Sequence, residues 1–149
     1  VFSQLGEKTV LVDANLRKPT QQYYFNLSQR QGLSDLLAGR CGIEVISKVA
    51  QLKNLSILPV GTVPPNPQEL LSRPSLGALL KDLASEYKIV LIDSPASSLY
   101  ADTQIVCSKS KNALIVIRKH QTRTKDVQIQ LKQLRDTNVN CVGAVLNEI

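Results

Sequence analysis

Val10-Leu11-Val12-Asp13-Ala14-Asn15-Leu16-Arg17-Lys18-Pro19 begins as a β-branched apolar run, ends in a carboxylate and leaves through a polar turn that Pro19 closes. Ile89-Val90-Leu91-Ile92-Asp93-Ser94-Pro95 repeats the plan, with Ser94-Pro95 stopping the run. Short runs that are apolar on both faces are what a parallel strand covered on both sides requires. An acid closing such a run stands at the carboxyl edge of the sheet, where open α/β sheets bind their ligands. A single Asp there often only caps a turn. Two at neighbouring strand ends concentrate negative charge, which calls for a cation, a Lys or a proton.

Working outward, Leu55 to Val60, Ala113 to Ile117 and Cys141 to Leu146 are further runs of the same kind, so five strands are expected. Helical spacing lies between them. Leu76, Leu79, Leu80, Leu83 and Tyr87 form one stripe and Val127, Leu131 and Leu134 another. A short helix is expected around Leu33, Leu36 and Leu37, and one from about Tyr100 to Ser108. Val1 to Leu5, closed by Gly6, reads as the last turns of a helix. The alternation predicts a single α/β domain over residues 1–149, with a mostly parallel sheet flanked by helices. In Pro64-Pro65-Asn66-Pro67-Gln68-Glu69, Asn66 is expected as N-cap, Pro67 at the first helical position and Glu69 as the carboxylate of a capping box.

Composition narrows the class. A length of 149 residues with 43% hydrophobic and 20% charged residues suits a globular domain with a real core. The net charge of +6 is spread along the chain without a basic run, and with 4% aromatic residues there is no stacking platform, so a nucleic-acid partner is not expected. Cys41, Cys107 and Cys141 are odd in number and widely spaced, which suggests neither a disulfide framework nor a metal site and fits a reducing cytoplasm. No apolar run approaches the roughly 20 residues that span a bilayer. His120, the only histidine, has no second ligand near it in sequence.

The strand-end acids invite comparison with nucleotide sites, yet no G-x-x-x-x-G-K-[ST] phosphate loop occurs in these residues. Gly6-Glu7-Lys8-Thr9 imitates the end of one, but Glu7 separates Gly from Lys and a strand follows where a helix should begin. It reads as a helix-to-strand turn. Tyr23-Tyr24, beside Phe25, is expected to pack a loop against the domain.

Val10 to Pro19 resembles the second acidic motif of the bacterial tyrosine kinases that control polysaccharide export, members of the deviant-Walker P-loop ATPases, and Ile89 to Pro95 looks like their Walker B strand. Gly32-Leu33-Ser34-Asp35-Leu36-Leu37-Ala38-Gly39, Leu58-Pro59-Val60-Gly61 and Pro64 to Leu71 are also similar to that family, and the resemblance runs in order through the whole chain. It implies a P-loop NTPase-like fold lacking the first strand and phosphate loop, and hence a domain truncated at its amino end. It implies ATP and Mg²⁺ as cofactors, with Asp13, Asn15 and Arg17 catalytic, Asp93 and Asp13 facing the metal, and Asn147 near the adenine; Arg118, from the basic pair Arg118-Lys119, is a candidate for facing phosphate or an acidic partner. The reaction would be autophosphorylation on tyrosine, regulating exopolysaccharide polymerisation, export and chain length. The implied partners are a membrane polysaccharide co-polymerase and further copies in a ring, and the implied place is the cytoplasmic face of the plasma membrane.

This sequence departs from the family at position 15, where Asn replaces the usual second Asp and removes one charge from the metal neighbourhood. Without a phosphate loop, weak ATP turnover is expected of these residues alone. A non-catalytic regulatory module and a partition-type ATPase are the alternative readings. A phospho-receiver domain wants an adjacent acidic pair on its first strand, which Asp13-Ala14-Asn15 does not supply.

Overall fold

Thr9–Asp13 forms β1, the strand around which the first half of the chain is built, because Val10 and Val12 point to one face and Thr9 and Asp13 to the other, and all four are buried. The computed structural model describes residues 1–28 and 30–148. Contacts divide the chain into two units, Val1–Pro95 and Ala96–Ile149.

In the first unit the order of elements is β1, α1 (Gln21–Tyr24), α2 (Leu33–Leu37), β2 (Ser47–Lys48), β3 (Leu55–Leu58), α3 (Pro67–Ser72), α4 (Pro74–Glu86) and β4 (Ile89–Asp93). The sheet order is β2-β3-β1-β4, with β3, β1 and β4 parallel and β2 antiparallel to β3. β2 is absent from the five expected strands; two residues are too few to show alternation. β3 is buried along its whole length, as a central parallel strand should be.

α4 buries Leu76, Leu79, Leu80 and Leu83 at the expected spacing, and Tyr87, just beyond its end, is buried as well. Leu16, Leu33, Ile57, Leu58, Leu71 and Leu76 are among the largest fully enclosed side chains, each contributing about 1.5–3 kcal/mol of transfer free energy. Asn66 does precede α3 and Pro67 does occupy its first turn, but Asn66 makes no side-chain cap. Glu69 turns to Arg73 at 3.3 Å, so the expected capping box is not formed. The opening turn, Phe2–Leu5, is a 3-10 helix, and Gly6 after it takes the left-handed conformation, φ 93°.

The second unit runs α5 (Asp102–Ser110), β5 (Asn112–Arg118), α6 (Thr124–Asp136) and β6 (Asn140–Asn147). β5 and β6 are parallel, and their register skips Val142 between the Ala113–Cys141 and Leu114–Gly143 pairs. Double burial was expected for both strands, but β5 alternates, with Ala113, Ile115 and Ile117 half-buried and Leu114 and Val116 56% and 60% exposed, and β6 leaves Val142, Val145 and Leu146 exposed. Each strand of this unit follows a helix, α5 leading into β5 and α6 into β6. The three cysteines are free thiols, and burial pushes the Cys107 thiol up.

Candidate functional site

The parallel register of β1 and β4 runs from Thr9–Ile89 to Asp13–Asp93, so the two acids are partners in the last pair of the ladder. Side chains at paired positions of a parallel ladder share a face, which turns two separate sequence signals into one acidic edge. The backbone closes over it: the Ala14 amide donates to the Asp93 carbonyl at 2.8 Å.

Asp13 is fully buried and holds the loop that follows it. The Asn15 amide donates to its Oδ1 at 3.1 Å, and the Gln21 amide donates to its Oδ2 at 3.3 Å. Burial pushes the Asp13 carboxyl above its ordinary value and the charge of Asp93 adds to that, while backbone donors from Asn15, Gln21 and Thr20 pull the other way without reversing it. Asp93 is partly buried and accepts a side-chain hydrogen bond, Gln21 Nε2 to Oδ2 at 2.7 Å.

Asn15 uses its Oδ1 to accept the Lys18 amide at 3.1 Å, an Asx-type closure of the loop. Arg17 is exposed in the same loop. The donor set of this edge fits Mg²⁺. That ion prefers oxygen, takes one or two protein carboxylates and fills its octahedron with water and phosphate. No cluster of three or more His, Cys, Asp or Glu suited to a metal exists among the described residues, so the acid pair suits an ion sharing its shell with solvent and phosphate.

Arg118 and Asn147, the residues expected near the nucleotide, form the last register pair of β5 and β6. They too stand together at strand ends, in the second unit. The Lys119 amide donates to the Asn147 carbonyl at 2.8 Å, and Arg118 Nη1 donates to Gln121 at 3.4 Å. His120 follows, exposed, with φ 61°.

Tyr23 and Tyr24 do not pack the loop as expected: they are 76% and 78% exposed. Phe25 packs instead, against the cluster of Val49, Leu55 and Ile57. A cavity of about 390 Å³ opens beside Tyr23, lined also by Gln22, Asn26, Leu27, Arg30 and Gly61.

Two residues that matter to this architecture carried no assignment from sequence. Gln21 reaches both acids, and a Gln after Pro-Thr has no pattern to reveal that. Asp35 is the other: its Oδ2 accepts the Gly32 amide at 3.2 Å and the Thr62 amide at 3.0 Å, and its Oδ1 meets Arg40 Nε at 3.3 Å. Burial alone pushes the Asp35 carboxyl up, but the Thr62 amide and hydroxyl, the Gly32 amide and the Arg40 guanidinium outweigh it and leave it below its ordinary value. A Gly followed three residues later by Asp is the sequence trace of this cap. Leu33 and Ser34 amides donate to the Pro59 and Val60 carbonyls at 2.7 and 2.9 Å, so the Gly-Leu-Ser-Asp and Val-Gly-Thr stretches are welded together. Their resemblance to a family motif thus has a structural basis here.

No family model matches the chain. It is 35% identical over its full length to a putative tyrosine-protein kinase of the cps region of Klebsiella pneumoniae, and spans about a fifth of that relative's length. The solved VpsO kinase domain superposes with a TM-score of 0.92 at 31% identity, covering 99% of this chain and 73% of that one. The septum-site-determining protein MinD of Pyrococcus horikoshii, solved with Mg-ADP, superposes with a TM-score of 0.80 at 24% identity, covering 98% of this chain and 60% of that one. The MinD likeness carries the fold alone.

Proposed function

The chain belongs to the family of bacterial tyrosine-kinase domains, and on that premise we propose that it serves ATP-dependent phosphorylation of tyrosine in a system that makes and exports a capsular or extracellular polysaccharide. The observation that carries this reading is the pairing of Asp13 with Asp93 in adjacent register. In the reaction, a tyrosine oxygen bonds to the γ-phosphorus of ATP, the bond to the β-phosphate bridge breaks, and the phenol proton must leave. Asp13, raised by burial, is the carboxylate suited to take that proton. Asp93 is suited to hold a water of Mg²⁺, which when bound neutralises phosphate charge. Arg17 supplies a cation from the loop, and Asn147 and Arg118 are assigned to the nucleotide.

We place the domain at the cytoplasmic face of the membrane, working with a co-polymerase partner and further copies of itself. Among the described residues no helix is long and apolar enough to cross a membrane. The test is a phosphotyrosine assay of the protein that carries this chain, comparing wild type with Asp13→Ala and Asp93→Ala. Phosphotyrosine lost in both variants supports the reading, and equal labelling in all three sinks it.

A second reading, a non-catalytic regulatory module, is favoured by one observation. Asn15, where the family has Asp, spends its side chain on closing the loop. A wild type silent in the same assay supports the module. A partition-type ATPase shares the strand-end acids and predicts nucleotide hydrolysis without phosphotyrosine.

A further inference from the structure

The loop from Ala14 to Thr20 returns the chain to the acidic edge, and the residue it delivers there is Gln21. Gln21 is half-buried and begins α1. Its backbone amide donates to Asp13 Oδ2 at 3.3 Å and its side-chain Nε2 donates to Asp93 Oδ2 at 2.7 Å. One residue therefore reaches across the pair with two donors, 72 positions from Asp93 in sequence.

Two facing carboxylates repel, and each has rotamers that carry it away from the other. A neutral amide between them lowers the repulsion without a net charge, and it does so directionally. Asp13 is already fixed by backbone donors at both oxygens, so its orientation survives any side chain at position 21. Asp93 differs, because the bond that reaches its carboxylate here comes from the Gln21 side-chain amide. The asymmetry makes Gln21 the residue that decides where the Asp93 oxygens stand.

We infer that Gln21 is a positioning residue, which fixes the orientation of Asp93 against Asp13 through its side-chain amide so that the pair meets a hydrated divalent cation in one arrangement. The inference rests on the metal-facing role given to the pair under Proposed function. Gln21 touches neither substrate nor phosphate in this role. Its amide holds the carboxylate that would otherwise lose rotamer freedom when the ion binds.

The experiment has two arms on the purified chain. Nitrogen NMR of side-chain amides, without metal, is expected to show the Gln21 amide displaced from the free-glutamine position and protected from exchange, and to show it return in Asp93→Ala. A Gln21 amide at the free position in the wild type overturns the inference. In the second arm manganese(II) is the probe and its free signal is followed by electron paramagnetic resonance. Gln21→Ala is expected to weaken binding about fivefold, whereas Gln22→Ala on the next residue stays within about twofold of the wild type. Manganese bound equally by wild type and Gln21→Ala overturns the positioning role alone. Manganese left free by the wild type overturns the metal reading itself, and the inference with it.

Discussion

Asp13 and Asp93 face one another as the final register pair of two parallel strands, one fully enclosed and the other partly open. Their closeness costs stability. The charge of Asp93 helps hold the Asp13 carboxyl above its ordinary value. A carboxyl raised in the folded state costs nothing below its unfolded value and its full penalty once pH exceeds the folded value.

Asp93→Asn removes that repulsion while leaving an amide oxygen for Gln21 to donate to. At about pH 7 its melting temperature is expected to rise by about 2 °C, and the gain should vanish in acid, where the Asp13 carboxyl is protonated and carries no charge to repel. Thermal melts of both proteins across that range are the measurement. A gain that persists unchanged in acid contradicts the electrostatic account.

Asp35 has the opposite sign. Its lowered carboxyl contributes stability that is fully present above the ordinary carboxylate value and is lost as pH falls through the folded value. Asp35→Ala leaves the buried Gly32 amide and the Thr62 amide without their acceptor, at a cost of about 2–3 kcal/mol by denaturant titration near neutral pH. The deficit should shrink in acid. An equal deficit at every pH would refute the ionic part of this role.

Gly32→Ala tests the weld between the two stretches. A Cβ on Gly32 would drive into the Pro59 carbonyl and the Gly61 amide, and both are backbone. A loss of about 2–4 kcal/mol is expected, because backbone cannot step aside as a side-chain tip can. Gly39→Ala is the comparison: it has the left-handed φ of 72° but nothing within contact, so it pays strain alone, about 1 kcal/mol.

Asn15→Asp restores the second acid of the family motif. The oxygen that accepts the Lys18 amide is retained, so the loop should keep its form and the melting temperature should move by no more than about 2 °C. In the protein that carries this chain, phosphotyrosine is expected to increase about tenfold. No increase would mean that Asn15 is not what limits the chemistry.

Much of this was legible in the residues. Val10 to Asp13 announces a buried strand ending in an acid, since a doubly covered strand needs apolar residues on both faces; Ile89 to Asp93 announces the strand and its acid as well, but the structure leaves it only half-buried, with Leu91 40% exposed. The α4 stripe was equally plain, because helical spacing is local. Expectation failed where neighbours decide. Tyr23 and Tyr24 looked like loop packing, but they are exposed, and Phe25 and Leu27 pack against the Val49, Leu55 and Ile57 cluster instead. Glu69 looked like a cap and found Arg73 one turn away.

What the sequence determined by itself was therefore the kind of element at each position and the chemistry at its end: an apolar strand, a terminal carboxylate, a family motif. Only the tertiary structure decided that Asp13 and Asp93 share one rung, that Asp35 ties residue 32 to residue 62, and that Gln21 reaches an acid 72 positions away. The reason is physical. Periodicity and propensity act over a few residues, whereas a hydrogen bond across a parallel sheet depends on register, which both strands and the loop between them must set together.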